Sequence, residues 1–167
     1  MSDLTSAPIP PVAPDDHVRG PDGAPLVLVY SDFACPFCAV AHERMRDLPL
    51  RIAYRHFALR AKRARAPALA HAAEAAQLQG AFWPMHDALF ADQARQDDPH
   101  LWERAARLGL DTERFDHDRR SDAVRDRVAR DVRGALRAGV TTTPTLVVDG
   151  ELRPGPPDLG WLHSLGL

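Results

Sequence analysis

The stretch SDFACPFCAVAH, residues 31–42, contains both cysteines of the chain, Cys35 and Cys38. It directly follows the run LVLVY, residues 26–30, whose continuous apolar and β-prone character is typical of a strand buried on both faces. Pro36 stands where a helix would begin, because its fixed φ and missing N–H suit the first helical position. We therefore predict a strand that leads into a helix, with Cys35 capping the helix and Cys38 one turn inside it.

The rest of the chain predicts a mixed α/β fold with a helical block in its middle. Residues 50–59 have the pattern of a second strand, and residues 63–138 are helical in pattern throughout. Residues 145–152 predict two strands joined by a tight Asp149–Gly150 turn. The first strand–helix–strand unit requires a parallel pair, so the predicted central sheet is mixed. The predicted parts are an irregular N-terminal arm (1–22), a domain formed by 23–62 and 139–167, and an α-helical insertion with a connecting helix (63–138).

The bulk composition is that of one ordinary globular domain. The chain has 167 residues, of which 45% are hydrophobic and 26% charged, and its formal net charge is −2. This balance indicates no bulk attraction to nucleic acid. No apolar run is long enough to span a bilayer, and the first 25 residues lack the charged and apolar regions of a signal peptide. We therefore predict a cytoplasmic protein without a nucleic-acid or membrane partner.

The two thiols have the spacing of a redox centre. A thiolate at a helix N-terminus is stabilised by unpaired backbone N–H groups and by the positive end of the helix dipole. Cys35 occupies that place, and such cysteines can fall from a pKa of about 8.5 to roughly 3.5–7. Cys38 lies on the same helix face, close enough for its sulfur to attack a mixed disulfide on Cys35. Phe37 adds no charge and no hydrogen bond to the thiolate.

Two other interpretations of the cysteines have less support. A structural zinc site normally needs four ligands, and the chain has no third cysteine and no histidine spacing that completes one. A pair of inert buried thiols is the other alternative. We predict no metal site and no bound cofactor, because the electrons in thiol–disulfide exchange pass through the cysteines themselves.

A second informative stretch is TTTPT, residues 141–145, directly before a predicted strand. A cis peptide bond before Pro144 would present the backbone of Thr143 to an extended substrate chain near the sulfurs, by strand-like pairing. Alone the motif is weak, and it gains weight from the strand–CPFC–helix unit upstream. We predict that Thr143 and Pro144, together with Pro36 and Phe37, form the substrate-binding surroundings of the cysteines.

Together these motifs resemble the DsbA-like thiol–disulfide oxidoreductases, which have a thioredoxin fold with an inserted helical domain. The resemblance covers roughly residues 16–155, and its segments occur in the order of the family: DHVRGPDGAPLVLVYSDFACPFC, YRHFAL, QGAFWPMHDALF, LGLD and GVTTTPTLVVDG. It implies a thioredoxin-like fold, Cys35 as the nucleophile, Cys38 as the resolving thiol and Pro144 as a cis proline.

Within the matched segments, one position departs from the family pattern and two others match it. Many relatives carry an acidic residue six positions before the first cysteine, where a buried carboxylate can move the proton of the resolving thiol; here that position is Val29. Asp32 is nearer to the cysteines but has the wrong strand parity to replace this acid, and we expect it near the surface. A water molecule would then have to accept the proton of the Cys38 thiol. Trp83 and His86 match the FWxMH segment of the family, and we interpret them as packing residues.

We therefore predict a cytoplasmic thiol–disulfide oxidoreductase that acts on protein or low-molecular-weight thiol substrates and uses a redox partner such as a reductase. Two alternatives stay open. One is a thioredoxin-fold module that binds peptides with little turnover, which the absence of an acid at Val29 favours. The other is a soft-metal chaperone that holds an ion such as Cu(I) between Cys35 and Cys38.

Overall fold

The structure is a computed structural model, and it describes residues 7–167. Over this range the chain forms five strands and seven helices. The strands are β1 (His17–Arg19), β2 (Leu26–Ser31), β3 (Arg51–His56), β4 (Thr145–Val148) and β5 (Glu151–Pro154). The helices are α1 (Pro36–Met45), α2 (Ala66–Gln77), α3 (Phe82–Ala91), α4 (Asp98–Arg107), α5 (Thr112–Asp118), α6 (Asp122–Arg137) and α7 (Leu159–His163).

The five strands form one mixed sheet in the order β1-β3-β2-β4-β5. β2 and β3 are parallel and are joined through α1, whereas β4 runs antiparallel to β2 and forms a hairpin with β5. Helices α2 to α6 stand between β3 and β4 in the chain. The predicted α/β class, with a mixed central sheet and an α-helical insertion, is confirmed. The register places Tyr30 opposite Thr145, so the end of β2 lies beside the start of β4.

The two faces of the sheet are covered by different helices. Val29 of β2 shares a buried cluster with Met45 of α1 and with a leucine of α7, whereas Leu28 shares one with residues of α6. Because side chains alternate along a strand, Ser31 projects to the same face as Val29. This is the face on which α1 and Cys38 lie. Full burial of a Val, Leu or Met side chain stabilises a fold by roughly 1.5–3 kcal/mol, so the packing on both faces of the sheet stabilises this one.

The helical insertion packs directly against the cysteine segment. Phe33 and Cys38 belong to the same buried cluster as Met85 and Leu89 of α3 and Leu101 of α4. The segment that carries the thiols is therefore enclosed between the sheet and the insertion, and both parts of the fold determine its position.

The prediction of an irregular arm over residues 1–22 is wrong for His17–Arg19, which pair antiparallel with β3. Three residues are too few to show strand alternation, and a tertiary contact holds them, since Nε2 of His17 lies 2.6 Å from a carboxylate oxygen of Glu74. Gly20 ends the strand with φ of 110°, and a Cβ there would lie 2.0 Å from the carbonyl oxygen of Leu50. The part of the prediction that concerns residues 1–6 lies outside the described residues.

Candidate active site

Cys35 lies in the short loop between β2 and α1 and is the N-cap residue of that helix. Its backbone is extended, with φ of −89° and ψ of 120°. The N–H of Cys35 donates to the carbonyl oxygen of Asp32 at 3.0 Å, and its own carbonyl oxygen accepts from the N–H of Cys38 at 3.1 Å. These bonds close the turn that places the sulfur at the N-terminal end of the helix, where the dipole favours negative charge.

The Thr143–Pro144 segment faces Cys35 from the start of β4. The peptide bond between the two residues is cis. The carbonyl oxygen of Thr143 lies 3.5 Å from Sγ of Cys35, and Thr143 itself is buried. The hydroxyl of Thr145 donates to the carbonyl oxygen of Thr142 at 2.8 Å, which tightens this turn. The pairing of β2 with β4 therefore brings together two motifs that are more than a hundred residues apart in the chain.

The two thiols have opposite acid–base behaviour. The pKa of Cys35 is lowered to about 5, chiefly because the Cys38 thiol hydrogen-bonds to its sulfur. The side chain of Thr143 and the charge of Arg63 act in the same direction, against burial. The pKa of Cys38 is raised far above its usual range, first by burial and then by the hydrogen bond that it gives to Cys35. One sulfur is thus prepared as a thiolate while the other keeps its proton.

Asp32 is buried, at 2% exposure, so the expectation that it lies near the surface is wrong. Its carboxylate accepts from the N–H of Ala34 at 2.8 Å and from Arg63 at 3.3 Å, and its own N–H donates to Sγ of Cys38 at 3.4 Å. Burial raises the pKa of this carboxyl group, while the bonds from Ala34 and Arg63 oppose the rise. Strand parity did not apply because Asp32 follows the end of β2, where the side chain folds back onto its own backbone.

Two glutamines of the insertion hold the loop in front of the cysteines. Nε2 of Gln93 donates to the carbonyl oxygens of Phe33 at 2.8 Å and of Cys35 at 3.0 Å, and Nε2 of Gln96 donates to that of Phe33 at 2.9 Å. The sequence analysis missed both residues. A pair of glutamines in a polar loop has no spacing that marks a site, and only the packing of the insertion brings them to the loop.

The remaining predicted site residues lie at the surface beside the thiols. Pro36 is exposed, and Phe37 is 60% exposed although it is a large apolar side chain. Cys35 and Cys38 themselves are buried. The structure therefore gathers all six predicted residues around one point, with an exposed apolar surface next to the reactive sulfur.

Two groups of side chains bring three potential metal-ligand atoms within 4.8 Å of one another: His17, His56 and Glu74, and His42, His86 and Asp87. Their members are far apart in the sequence, which is why histidine spacing did not indicate them. In the first group both imidazoles hydrogen-bond to Glu74, and in the second Arg19 donates twice to Asp87 at 2.9 Å. A metal ion would have to displace these bonds, and in the second group it would also face the charge of Arg19.

Residues 26–165 match the family described as the DSBA-like thioredoxin domain. The chain belongs to this family. Among solved structures, a thioredoxin-like oxidoreductase from Silicibacter pomeroyi DSS-3 shares 28% identity and a TM-score of 0.80, covering 92% of this chain and 91% of that chain. DsbA2 of Pseudomonas aeruginosa shares 26% identity and a TM-score of 0.74, covering 93% and 94%. The resemblance and the thioredoxin-like fold predicted for this DSBA-like domain are confirmed.

Curated relatives of this DSBA-like domain are longer proteins. The Na(+)/H(+) antiporter NhaA of Herminiimonas arsenicoxydans is 42% identical over 165 residues, which cover 94% of this chain and 26% of the relative. NhaA 1 of Salinispora arenicola is 46% identical over 155 residues, covering 87% and 23%. The chain thus spans about a quarter of the length of the curated relatives it matches. Within residues 7–167, no helix combines the length and apolar character needed to cross a membrane.

Proposed function

We propose that this DSBA-like domain is a thiol–disulfide oxidoreductase that exchanges disulfides through Cys35 and Cys38. The observation that carries the proposal is the position of the Cys35 sulfur, at the N-terminus of α1 and 3.5 Å from the Thr143 carbonyl oxygen, with a lowered pKa. Cys35 attacks a substrate disulfide as a thiolate and forms a mixed disulfide. Cys38 then attacks Cys35, two electrons pass to the substrate, and a Cys35–Cys38 disulfide is left; the reverse sequence oxidises a substrate dithiol.

The substrate is a disulfide- or thiol-bearing protein or a low-molecular-weight thiol. An extended chain would pair with the backbone of Thr143, in the manner of an added strand, and pass over the exposed ring of Phe37. This places a substrate sulfur beside Cys35. Turnover then requires a second redox partner, such as a reductase, that returns the cysteines to their starting state.

The direction of exchange depends on how far the reduced pair is stabilised. A Cys35 thiolate with a pKa of about 5 stabilises the reduced form and makes the disulfide easier to reduce. We expect a reduction potential between the roughly −270 mV of thioredoxin and the roughly −120 mV of DsbA. We also propose a cytoplasmic location, where glutathione and thioredoxin would keep the pair largely reduced.

The potential is measured by equilibrating the protein in glutathione redox buffers, alkylating the free thiols and counting them by mass spectrometry. A Cys38→Ser variant should trap a mixed disulfide between Cys35 and a substrate, and Cys35→Ser should trap none. Failure of the wild type to form an intramolecular disulfide in any buffer would refute the proposal. Fractionation of the native host cells tests the location separately.

A peptide-binding module with little turnover is the second candidate, and the buried Val29 in place of an acid favours it. It predicts that Cys38→Ser leaves peptide binding unchanged and that the protein reduces insulin disulfides no faster than background. A soft-metal chaperone predicts instead that protein purified under reducing conditions contains one metal ion per Cys35–Cys38 pair, which elemental analysis would detect.

A further inference from the structure

A small cavity lies behind Cys38, where α1 packs on the sheet. Its volume is about 20 Å³, and a cavity needs roughly 10–15 Å³ to hold a water molecule. Its polar lining includes a thiol, two hydroxyl-bearing side chains and two imidazoles, from Cys38, Ser31, Tyr54, His42 and His86. Val29, the position at which many relatives carry an acid, lines the same cavity.

One polar group in this cavity lacks a protein partner. The hydroxyl of Tyr54 is buried, and no hydrogen bond of standard geometry satisfies it within the described part of the chain, although the nearby Ser31 hydroxyl acts to lower the pKa of both Tyr54 and Cys38. An unpaired buried hydroxyl is costly, and ordered water is the usual way in which such a group is satisfied. The ring of Tyr54 stands at 89° to that of His86, with the ring centroids 5.1 Å apart. A water molecule in the cavity would therefore lie among Tyr54, Cys38 and His86.

His86 connects this buried cavity to the protein surface. Its Nδ1 lies 2.8 Å from Oδ1 of Asp87. Because an ionised carboxylate only accepts, Nδ1 carries the hydrogen and Nε2 is left as an acceptor. The side chain of Asp87 is 48% exposed, and Arg19 holds it in place through two hydrogen bonds. Arg19 and His42 line both the cavity and a wide open depression on the surface, so the path from Cys38 to solvent is short.

We propose that a water molecule in this cavity and the imidazole of His86 carry the proton of the Cys38 thiol to solvent, in place of the carboxylate that Val29 does not supply. The inference rests on the proposed function, because it concerns the resolving step of that reaction. His86 takes part only in proton transfer, through the water, while Cys38 remains the reacting group.

One proton leaves the Cys38 thiol while its sulfur displaces the substrate from Cys35. The Cys38 thiol gives its proton to the water, the water gives one to Nε2 of His86, and the proton on Nδ1 leaves through Asp87 to solvent. The Cys38 thiolate forms a bond with Sγ of Cys35, and the bond between Cys35 and the substrate sulfur breaks. The substrate leaves as a thiolate with the electron pair of that bond. When the disulfide is next reduced, the reverse transfer reprotonates Cys38 and restores the hydrogen to Nδ1.

The charges around His86 suit a relay, in which the imidazole passes a proton on without storing it. Burial lowers the pKa of His86 to about 4, against the raising effect of Asp87, and His42 and Arg19 lower it further. Tyr54 of β3 and Cys38 of α1 are the other titratable groups that face it across the cavity. The imidazole is therefore neutral near pH 7, with Nε2 open as an acceptor, and burial and the charge of Arg19 disfavour retention of a second proton.

The test is a single reaction of the reduced protein with a chromophoric aryl disulfide, followed by stopped flow. The first equivalent of released aryl thiolate reports the attack by Cys35, and the second reports the attack by Cys38. We expect His86→Gln to slow the second phase by about tenfold or more. A positioned base typically speeds a proton transfer by roughly 10²–10⁴-fold, and the cavity water can still accept the Cys38 proton without His86, so part of that acceleration should remain. Tyr54→Phe should slow it severalfold. The first phase should be unchanged in both, and His71→Gln, a half-buried histidine outside the cavity, should change neither phase.

The pH profile separates a proton relay from a packing role. In the wild type the second phase should vary little between pH 6 and 8, whereas in His86→Gln it should rise by about tenfold per pH unit, as expected for deprotonation by hydroxide. Adding Val29→Glu to His86→Gln should restore a fast second phase. The proposal is overturned if both His86→Gln and Tyr54→Phe keep the wild-type rate and pH profile of the second phase. It is also overturned if His86→Gln has a slow second phase with the wild-type pH profile and adding Val29→Glu does not make that phase fast again. If His86→Gln does not fold, Tyr54→Phe and the wild-type profile decide the question. Absence of a second equivalent from the wild type would instead refute the proposed function itself.

Discussion

Two buried carboxylates, Glu74 and Asp32, lie where helical elements meet the sheet, and their surroundings differ. One oxygen of Glu74 accepts from Nε2 of His17 at 2.6 Å and from Nε2 of His56 at 2.7 Å. Burial opposes the ionisation of Glu74, yet these two bonds outweigh it and hold its pKa well below the usual range. At Asp32 burial prevails over the bonds from Ala34 and Arg63, and the pKa is raised.

The difference separates a carboxylate that joins two parts of the fold from one beside the cysteines of the candidate site. Glu74 joins α2 of the insertion to β1 and β3 of the sheet, so its two short hydrogen bonds fasten the two units together. Asp32 lies in the loop that carries the cysteines, and its ion pair with Arg63 is longer, at 3.3 Å, so burial of the carboxylate next to Cys35 and Cys38 is less fully offset. Strong pKa shifts in either direction mark such places, but only the pairing shows which role a carboxylate has.

The largest expected effect comes from removing Glu74, the carboxylate with the shorter hydrogen bonds. Glu74→Ala leaves the imidazoles of His17 and His56 buried without their acceptor, and breaking a buried pair in this way typically costs about 3–5 kcal/mol. We expect the free energy of unfolding, measured by urea denaturation, to fall by that amount. Glu43→Ala, on the exposed side of α1, is the control and should change it by no more than about 0.5 kcal/mol.

The stabilisation from Glu74 should also depend on pH. Its folded pKa is depressed, so its contribution is complete above the unfolded pKa of about 4.3 and is lost as the pH falls below that value. The difference in unfolding free energy between the wild type and Glu74→Gln should therefore shrink between pH 5 and pH 3. A difference that grows on acidification would show that Glu74 is not held in its ionised form.

At the cysteines, an intermediate effect is expected from removal of the Cys38 thiol. Cys38→Ala takes away the largest cause of the lowered pKa of Cys35. A hydrogen bond to a charged group contributes about 1.5–3 kcal/mol, so the pKa of Cys35 should rise by about 1–2 units. The ultraviolet absorbance of the thiolate, followed against pH, measures the pKa of Cys35. Cys38→Ser keeps a donor and should retain most of the lowering; a pKa that stays at about 5 in both variants would assign the thiolate to the helix N-terminus and Thr143.

The parts of the fold that the sequence predicts are those with local signals. The LVLVY run predicts β2, Pro36 predicts the start of α1, and the Asp149–Gly150 pair predicts the hairpin. In the structure Asp149 and Gly150 have φ of 50° and 81°, the two positive values that such a tight turn requires. The motifs around Cys35 and Pro144 likewise predict the candidate site, and the structure brings them together.

The parts that could not be predicted depend on contacts between distant residues. β1 is too short to have a pattern, and it is held by Glu74, which is 57 positions away. Gln93 reaches the cysteine loop only because α3 packs on it, and Asp32 is buried by a turn that strand alternation does not describe. Each of these side chains is polar, and hydrophobic periodicity carries no information about the partners of polar residues.

The smallest expected effect is that of Asp32→Asn, and it tests the comparison between Asp32 and Glu74 most directly. Because the folded pKa of Asp32 is raised, the ionised carboxylate costs stability as the pH rises above the unfolded value of about 3.9. Asp32→Asn removes that charge and keeps an oxygen that can accept from the N–H of Ala34. We expect it to stabilise the protein at pH 7 by up to about 1 kcal/mol, partly offset by the lost attraction to Arg63, and to have no effect below pH 4. Urea denaturation measures both variants at pH 7 and below pH 4. At pH 7 the free energy of unfolding should rise in Asp32→Asn and fall in Glu74→Gln. A loss of more than about 1 kcal/mol in Asp32→Asn would show that Arg63 pairs Asp32 as effectively as the histidines pair Glu74, and the two carboxylates would then share one structural role.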